Sequence, residues 1–406
     1  MNSTISFIEA RVRALLELLS VSKGCDFPYK ASGLALSAIQ KKHESFLADL
    51  ILIDKSVSED AIKRICSSFN ELVSSHLPLI GFILRSTETR NPFEVYGPLS
   101  RLAEELSGEK AHLVISSEWT ISPHIYERPL DGFVFIGLPA SEGSNPLLLP
   151  SAGHEFGHLV WSRDQALSSY FANEARKSLA GLKKRKASAI QNLMDHHDIK
   201  DENELFASNV FLRAIHLALQ QIQECFCDFM GVYLFKESYL RAFAYLSSPG
   251  EWFRSPKYPG FEERVLYIAR ACKAYGYSTP AEWDLWFSGK ANIGLKNRGE
   301  ILILALADEI RHDLIDFAIE KARAIVVQKN IALASVSGTD EIYGNIISYG
   351  VPHDTPKTIF DIIDAAWKAQ LDIEFMADVP SRKIQIIRDL TLKNFEVLDF
   401  NWRISR

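Results

Sequence analysis

Cysteine is scarce in this chain: five residues in 406, an odd number at scattered positions. That argues against a disulfide framework, and reduced thiols in a cytoplasmic setting are expected. Cys225-x-Cys227 is too little by itself for a structural zinc site, and both read as small buried hydrophobes. An excess of positive charge is missing too. Lys and Arg number 45 against 51 Asp and Glu, a net charge of −6, so the basic surface needed for sequence-independent nucleic-acid binding is absent and no nucleic-acid partner is expected. The one basic run, Lys183-Lys184-Arg185-Lys186, falls in a helical pattern and reads as a solvated face. There is also no apolar run long enough for a spanning helix, so no membrane partner is expected. The opening MNSTISFIEARVRALLELL carries Glu9, Arg11 and Arg13 where a secretory signal needs uninterrupted apolar residues, and reads as an amphipathic helix.

What is present is mostly helical periodicity. Over 1–108, four stretches repeat apolar residues at spacings of three and four. The pattern changes at 111–127 (AHLVISSEWTISPHIYE) and 132–138 (GFVFIGL), whose β-branched and aromatic content, with the turn Pro129–Gly132 between them, predicts a small sheet. Helical patterns resume near 165. In the last third, a long helix is expected at EILILALADEIRHDLIDFAIEKARAIVVQ, a loop running from SVSGTDEIYG to YGVPHDTP, and two closing helices, the first capped by Thr358 with Asp361. The expected fold is therefore α+β and predominantly helical: an N-terminal helical region 1–108, a core 109–275 with a small sheet and a helical insertion about 166–215, and a C-terminal helical region 276–406.

The most informative stretch is LLLPSAGHEFGHLVWSRD, residues 147–164. His154-Glu155-x-x-His158 is a pattern whose chemistry depends on helical geometry. At about 3.6 residues per turn the two imidazoles project from one face and can reach a single zinc ion. Glu155 points to the side, where it can take a proton from a zinc-bound water. The flanks are uncharged, and a buried His-Glu-His cluster without a metal would be a costly set of unsatisfied groups. The helix start is ambiguous between Asn145-Pro146 and Pro150.

A catalytic zinc needs a third protein ligand and an open water position. Three acids compete. Asp164 lies six residues after His158, but Trp161 stands where a helix-ending glycine would let the chain turn back. Glu174, in ANEARKS, lacks an acidic partner four residues on, where Ser178 stands. Glu224, in QIQECFCDFMGVYL, has Asp228 at i+4 in an apolar helix without a cation at helical spacing, so two carboxylates would lie together uncompensated unless a metal and an imidazole N–H relieve them. Glu224 is favoured as the ligand, with Asp228 accepting the free ring N–H of a ligating histidine.

His154-Glu155-x-x-His158 followed by Glu224-x-x-x-Asp228 resembles the gluzincin group of zinc metallopeptidases, and ECFCDFMGVYL is similar to the E-x-x-A-D helix of several bacterial members. The resemblance covers about 110–270. It implies a zincin-like catalytic core in which a small sheet lies over the active-site helix and its edge strand pairs with an extended peptide; GFVFIGL is the candidate for that strand. The 66 residues between His158 and Glu224 are long for the group, which an inserted helical hairpin would accommodate.

With those residues the expected chemistry is peptide-bond hydrolysis, with Zn2+ as cofactor, Glu155 as general base and a peptide or protein as substrate. Tyr258 and Arg264, in SPKYPGFEERV, are possible oxyanion donors. His196-His197-Asp198 reads as a solvated turn. Two alternatives come from other classes. One is a non-catalytic metal-binding or interaction protein, against which an intact Glu155 argues. The other is a di-iron carboxylate bundle built on Glu155-x-x-His158 and Glu309-x-x-His312, which leaves His154 unexplained and places Arg311, His312 and Asp313 on an exposed face.

Overall fold

The computed structural model describes residues 3–53, 57–88, 93–120, 123–126, 130–185, 204–248, 254–287, 298–352 and 357–405. These are predominantly helical with one small three-stranded sheet. No helix among them is long and apolar enough to cross a membrane. The basic residue Lys186, the His196-His197-Asp198 turn and part of the turn at 129–132 lie outside the described residues, as do the side chains of Lys183, Lys184 and Arg185. Contacts divide the chain into two compact units.

The first unit comprises Met1–Glu104 and Glu109–Ser144. Its helices are α1 (Ser3–Ser22), α2 (Lys30–Ile51), α3 (Glu59–Arg85) and α4 (Tyr96–Ser107) as far as Glu104, the four that apolar periodicity predicts. Helix α3 begins at Ser58, whose side chain accepts from Ala61 N, with Glu59 and Asp60 in the first turn facing the positive end of the helix dipole. Leu19, Leu36, Ile39, Phe82 and Ile83 from the helices share a core with Val114 and Phe135 of the sheet.

The sheet contains β1 (His112–Glu118), β2 (His124–Tyr126) and β3 (Phe133–Pro139) in the order β1-β3-β2. Strand β3 pairs in parallel with β1 along its whole length, and antiparallel with β2 over Phe135–Gly137. The GFVFIGL segment is therefore the central strand, which corrects the expectation that it forms an edge. Its backbone groups are taken on both sides at Phe135–Gly137, and the edges are β1 and β2. Successive residues of β3 from Val134 to Pro139 are all buried, so both of its faces are covered, which accounts for its near-continuous apolar run.

The second unit comprises Glu105–Gly108 and Asn145–Arg406. Residues Pro146–Ser151 form a 3-10 turn, so the histidine helix α5 spans Ala152–Arg163, and Asn145 makes no capping bond to it. After α6 (Gln165–Arg185) comes α7 (Glu204–Ser247), 44 residues long and broken at Lys236. Helix α7 is apolar on nearly all sides, with Ala218, Ile222, Phe226, Phe229 and Met230 all fully buried, as befits a central helix packed by α5, α6, α8 (Phe261–Ala274) and α9 (Arg298–Gln328). The segment carrying Glu224 belongs to one helix that begins at residue 204, and the helices expected over about 166–215 are α6 and the first turns of α7.

Three longer helices follow, α10 (Val336–Ile347), α11 (Ile359–Leu371) and α12 (Pro380–Ile404), besides single-turn helices at Trp283–Trp286 and Ile373–Met376. Helix α10 corrects the loop expected at SVSGTDEIYG. Ser335 caps it by accepting from Gly338 N, and the Asp361 carboxylate holds Ser335 N at 2.7 Å, so a bond from another helix decides what local composition leaves open. The Thr358–Asp361 box forms as read, each side chain meeting the other's backbone N–H.

Candidate metal centre

Two helices, α5 and α7, build the site, and they approach closely because α5 carries glycine at its points of contact. A Cβ on Gly157 would stand 2.5 Å from Cys227 Cα, and one on Gly153 would stand 3.0 Å from Gly231 Cα. Both glycines alternate with the histidines on α5, so the contact that brings α7 near also presents His154 and His158 to it.

From α7, Glu224 reaches both rings. Its Oε2 is 3.2 Å from His154 Nε2 and 3.7 Å from His158 Nε2. That oxygen is buried and has no well-directed hydrogen bond. Two ring nitrogens and an orphaned carboxylate oxygen converging on one point form a donor set suited to a divalent cation. The remaining ring nitrogens are held from behind. His154 Nδ1 lies 2.8 Å from Asp228 Oδ1, the arrangement that fixes the tautomer and leaves Nε2 free to ligate. His158 Nδ1 lies 3.1 Å from the Gln223 side-chain amide. The amide atom placed there is Nε2, which donates to Nδ1; a half-turn of the amide would instead let its oxygen accept from Nδ1–H and leave the Nε2 lone pair toward Glu224.

Cys227 is a rival third donor. Its Sγ and a nitrogen from each histidine lie within 4.8 Å of one another. Glu224 is the better placed of the two to ligate, because its oxygen is otherwise orphaned, whereas Cys227 is fully buried with its Cα, Cβ and Sγ against Gly157. Of the other acids weighed from the sequence, Asp164 accepts from Leu167 N at the start of α6, and Glu174 pairs with Lys177 at 2.7 Å. Neither meets the histidines in any of these contacts.

Arg264 has a different place from the one considered for it. Its guanidinium grips Asp228 at two points, 2.7 and 2.8 Å, and the Tyr239 hydroxyl donates to the same carboxylate at 2.7 Å. Asp228 is therefore not uncompensated: a cation from α8 supplies what α7 lacks, and the sequence argument from two neighbouring carboxylates applies to Glu224 alone. Burial opposes the charge on Asp228, but Arg264 and His154 outweigh it and hold its carboxyl well below the usual carboxylate range. Burial likewise opposes the charge on His154, yet hydrogen bonds to Asp228 and Glu224 prevail and lift its pKa to about 10. Glu224, opposed by burial and favoured by both histidines and Arg264, is held below its ordinary value.

Glu155 is buried at 6% exposure beside His154. Tyr258 is half-buried, with the Arg264 guanidinium 5.4 Å from its ring centroid. Burial, then the charges of Glu224 and Glu155, push its phenol up, so it remains a proton donor throughout the neutral range. The segment bearing Tyr258 is anchored by Gln221, which donates to Pro256 O at 3.0 Å, and by Arg254, which donates to Asp308. Arg311 secures both anchors. It donates to Gln221, Asp308 and Glu263, and is itself fully buried, correcting its placement on an exposed face; His312 and Asp313 beside it are exposed. Glu309 is exposed and His312 turns toward Tyr267 on α8.

Gln223 and Tyr239 escaped the sequence reading. Tyr239 stands eleven residues after Asp228, about 16 Å along an unbroken helix, so its contact with that carboxylate depends on the break at Lys236 and is not legible from helical spacing. No protein-family model, curated protein or solved structure matches the chain.

Proposed function

We propose that the chain is a zinc-dependent metallopeptidase with a zincin-like core, its metal held by His154, His158 and Glu224. The observation that carries this reading is the buried Glu224 oxygen, without a directed hydrogen bond, facing both histidine Nε2 atoms. Zinc bound there would supply a water of lowered pKa and polarise the carbonyl under attack. Glu155 would take a proton from the attacking water and return it to the leaving amine as the C–N bond breaks. Asp228 keeps His154 in the ligating tautomer, while Arg264 and Tyr239 keep Asp228 in place. Tyr258 donates to the oxygen on which negative charge develops. Arg264, committed to Asp228, is not that donor.

The test is metal analysis of the purified chain together with cleavage of a peptide library. One equivalent of zinc, with cleavage by the wild type and a loss of about 10²–10⁴-fold in Glu155→Gln at unchanged zinc content, supports the assignment. Zinc without cleavage of any peptide would make the site a non-catalytic metal centre, and two irons per chain would sink the zinc reading altogether.

A further inference from the structure

Beyond the metal centre, α7 breaks at Lys236, whose φ of 50° and ψ of −129° lie where side chains are rarely accommodated. A non-glycine residue in such a conformation costs on the order of 1–3 kcal/mol and persists only where its surroundings impose it. Next to the break is a cavity of about 770 Å³, within the size range of sites that enclose small organic molecules. Residues of α7 from the break onward, Tyr277, α10 and α11 form its walls.

The character of those walls selects a ligand. Three aromatic rings, Tyr277, Tyr343 and Trp367, line the space, and Trp367 is pinned by donating its indole N–H to Leu147 O at 3.1 Å. Aromatic faces attract cations. Two lysines already sit over such faces, Lys368 at 4.5 Å from the Tyr343 centroid and Lys236 at 5.8 Å from that of Tyr277. The basic groups of the wall are engaged elsewhere: Lys236 donates to Ala334 O at 3.0 Å, Arg241 to Glu237 at 2.5 and 2.9 Å, and Lys368 to Asp340 at 2.7 Å. An anionic ligand would have to break these bonds to be recognised.

The acids differ. Asp372 is used, accepting from Phe375 N at 3.0 Å and from the Tyr343 hydroxyl. Asp364 is the acid left over. Among the described residues its hydrogen bond is the one from Ser238 Oγ to Oδ1. Burial pushes the Asp364 carboxyl up to about 6 even with Ser238 and Lys236 acting against it, the mark of a carboxylate short of positive charge. We propose that this cavity binds a small organic ammonium ion, its charged group pairing with Asp364 and its apolar body lying against Tyr277, Tyr343 and Trp367.

Isothermal titration of the full chain with phenethylamine, and with 2-phenylethanol and phenylacetate as neutral and anionic counterparts of similar size, tests the assignment. Phenethylamine is expected to bind one site per chain, at least about ten-fold more tightly than either counterpart. Asp364→Asn should remove that preference, and Tyr343→Leu, on the outer wall, should weaken the amine several-fold. Glu224→Ala should leave the amine affinity unchanged, separating this cavity from the metal centre. Phenylacetate binding as well as the amine, no saturable amine binding at millimolar concentration, or undiminished amine affinity in a folded Asp364→Asn would each overturn the proposal. The three-probe comparison on the wild type and Tyr343→Leu decides the matter even if Asp364→Asn fails to fold.

Discussion

Asp228 Oδ1 lies 2.8 Å from Nδ1 of His154, a residue 74 positions earlier in the chain. That contact joins the two helices of the candidate metal centre behind the His154 ring, and the same carboxylate is fully buried under Arg264 and Tyr239. Replacing Asp228 with Asn leaves the Arg264 guanidinium without its counter-charge. Stranding one half of a buried pair costs about 3–5 kcal/mol, so a marked fall in melting temperature is expected, together with a loss of zinc affinity of about 10–100-fold. Competition with a chromogenic chelator measures the second effect. Unchanged zinc affinity would remove Asp228 from the site.

The choice of third ligand separates cleanly by mutation. Glu224→Ala removes the orphaned oxygen and should lower zinc affinity by at least about a hundred-fold, because it deletes a direct ligand rather than a supporting group. Cys227→Ser, which keeps the small buried side chain, should stay within a few-fold of the wild type. The reverse ranking, read by the same chelator competition, would transfer the ligand role to the thiolate.

Gly157 is a steric requirement. A methyl group there meets Cys227 Cα at 2.5 Å, and backbone cannot rotate away as a flexible side chain does. Gly157→Ala should therefore force α5 and α7 apart, lowering stability by about 1–3 kcal/mol and weakening zinc binding although no ligand is changed. Denaturant unfolding and zinc titration of this variant check both effects, and wild-type values in each would show that the helices have room to spare.

The first unit contains a different acid-sensitive feature. His43 Nε2 and His76 Nδ1 lie 2.9 Å apart, both rings are buried, and His43 Nδ1 has no hydrogen bond. Burial, then His76 and Lys42, push His43 down to about 4, and burial with Lys42 pushes His76 down as well. Because the unfolded histidine titrates near 6.5, the unfolded chain binds more protons below that pH. Stability is thus full above about pH 6.5 and falls toward pH 4, by about 3 kcal/mol from His43 alone. Melting temperatures of the metal-free chain, measured between these limits, should drop more steeply for the wild type than for His43→Leu/His76→Leu. Equal slopes would show that the pair does not govern the acid response.

Much of the helical layout was legible because its signals are local. Apolar spacing marked α1 to α4, the Thr358–Asp361 box marked the start of α11, and His154-Glu155-x-x-His158 could be placed on one helix before any packing was known. The loop expected at SVSGTDEIYG shows where such signals stop. Its small polar residues suit a turn or a helix start equally, and the Asp361 bond to Ser335 N tips the balance from another element.

The site divides along the same line. The spacing of His154 and His158, and of Glu224 and Asp228, is a property of the helical repeat, so the sequence by itself determined which side chains share a face. Which helix that face meets is decided by tertiary structure: glycines that admit α7 to α5, Gln223 behind His158, and Arg264 arriving from α8 to neutralise Asp228. The same holds for the Arg311 side chain, whose burial depends on acceptors from two other helices, and for the central position of β3, which depends on partners on both sides. Periodicity is written in neighbouring residues, whereas charge compensation and strand order arise between residues that only folding brings together.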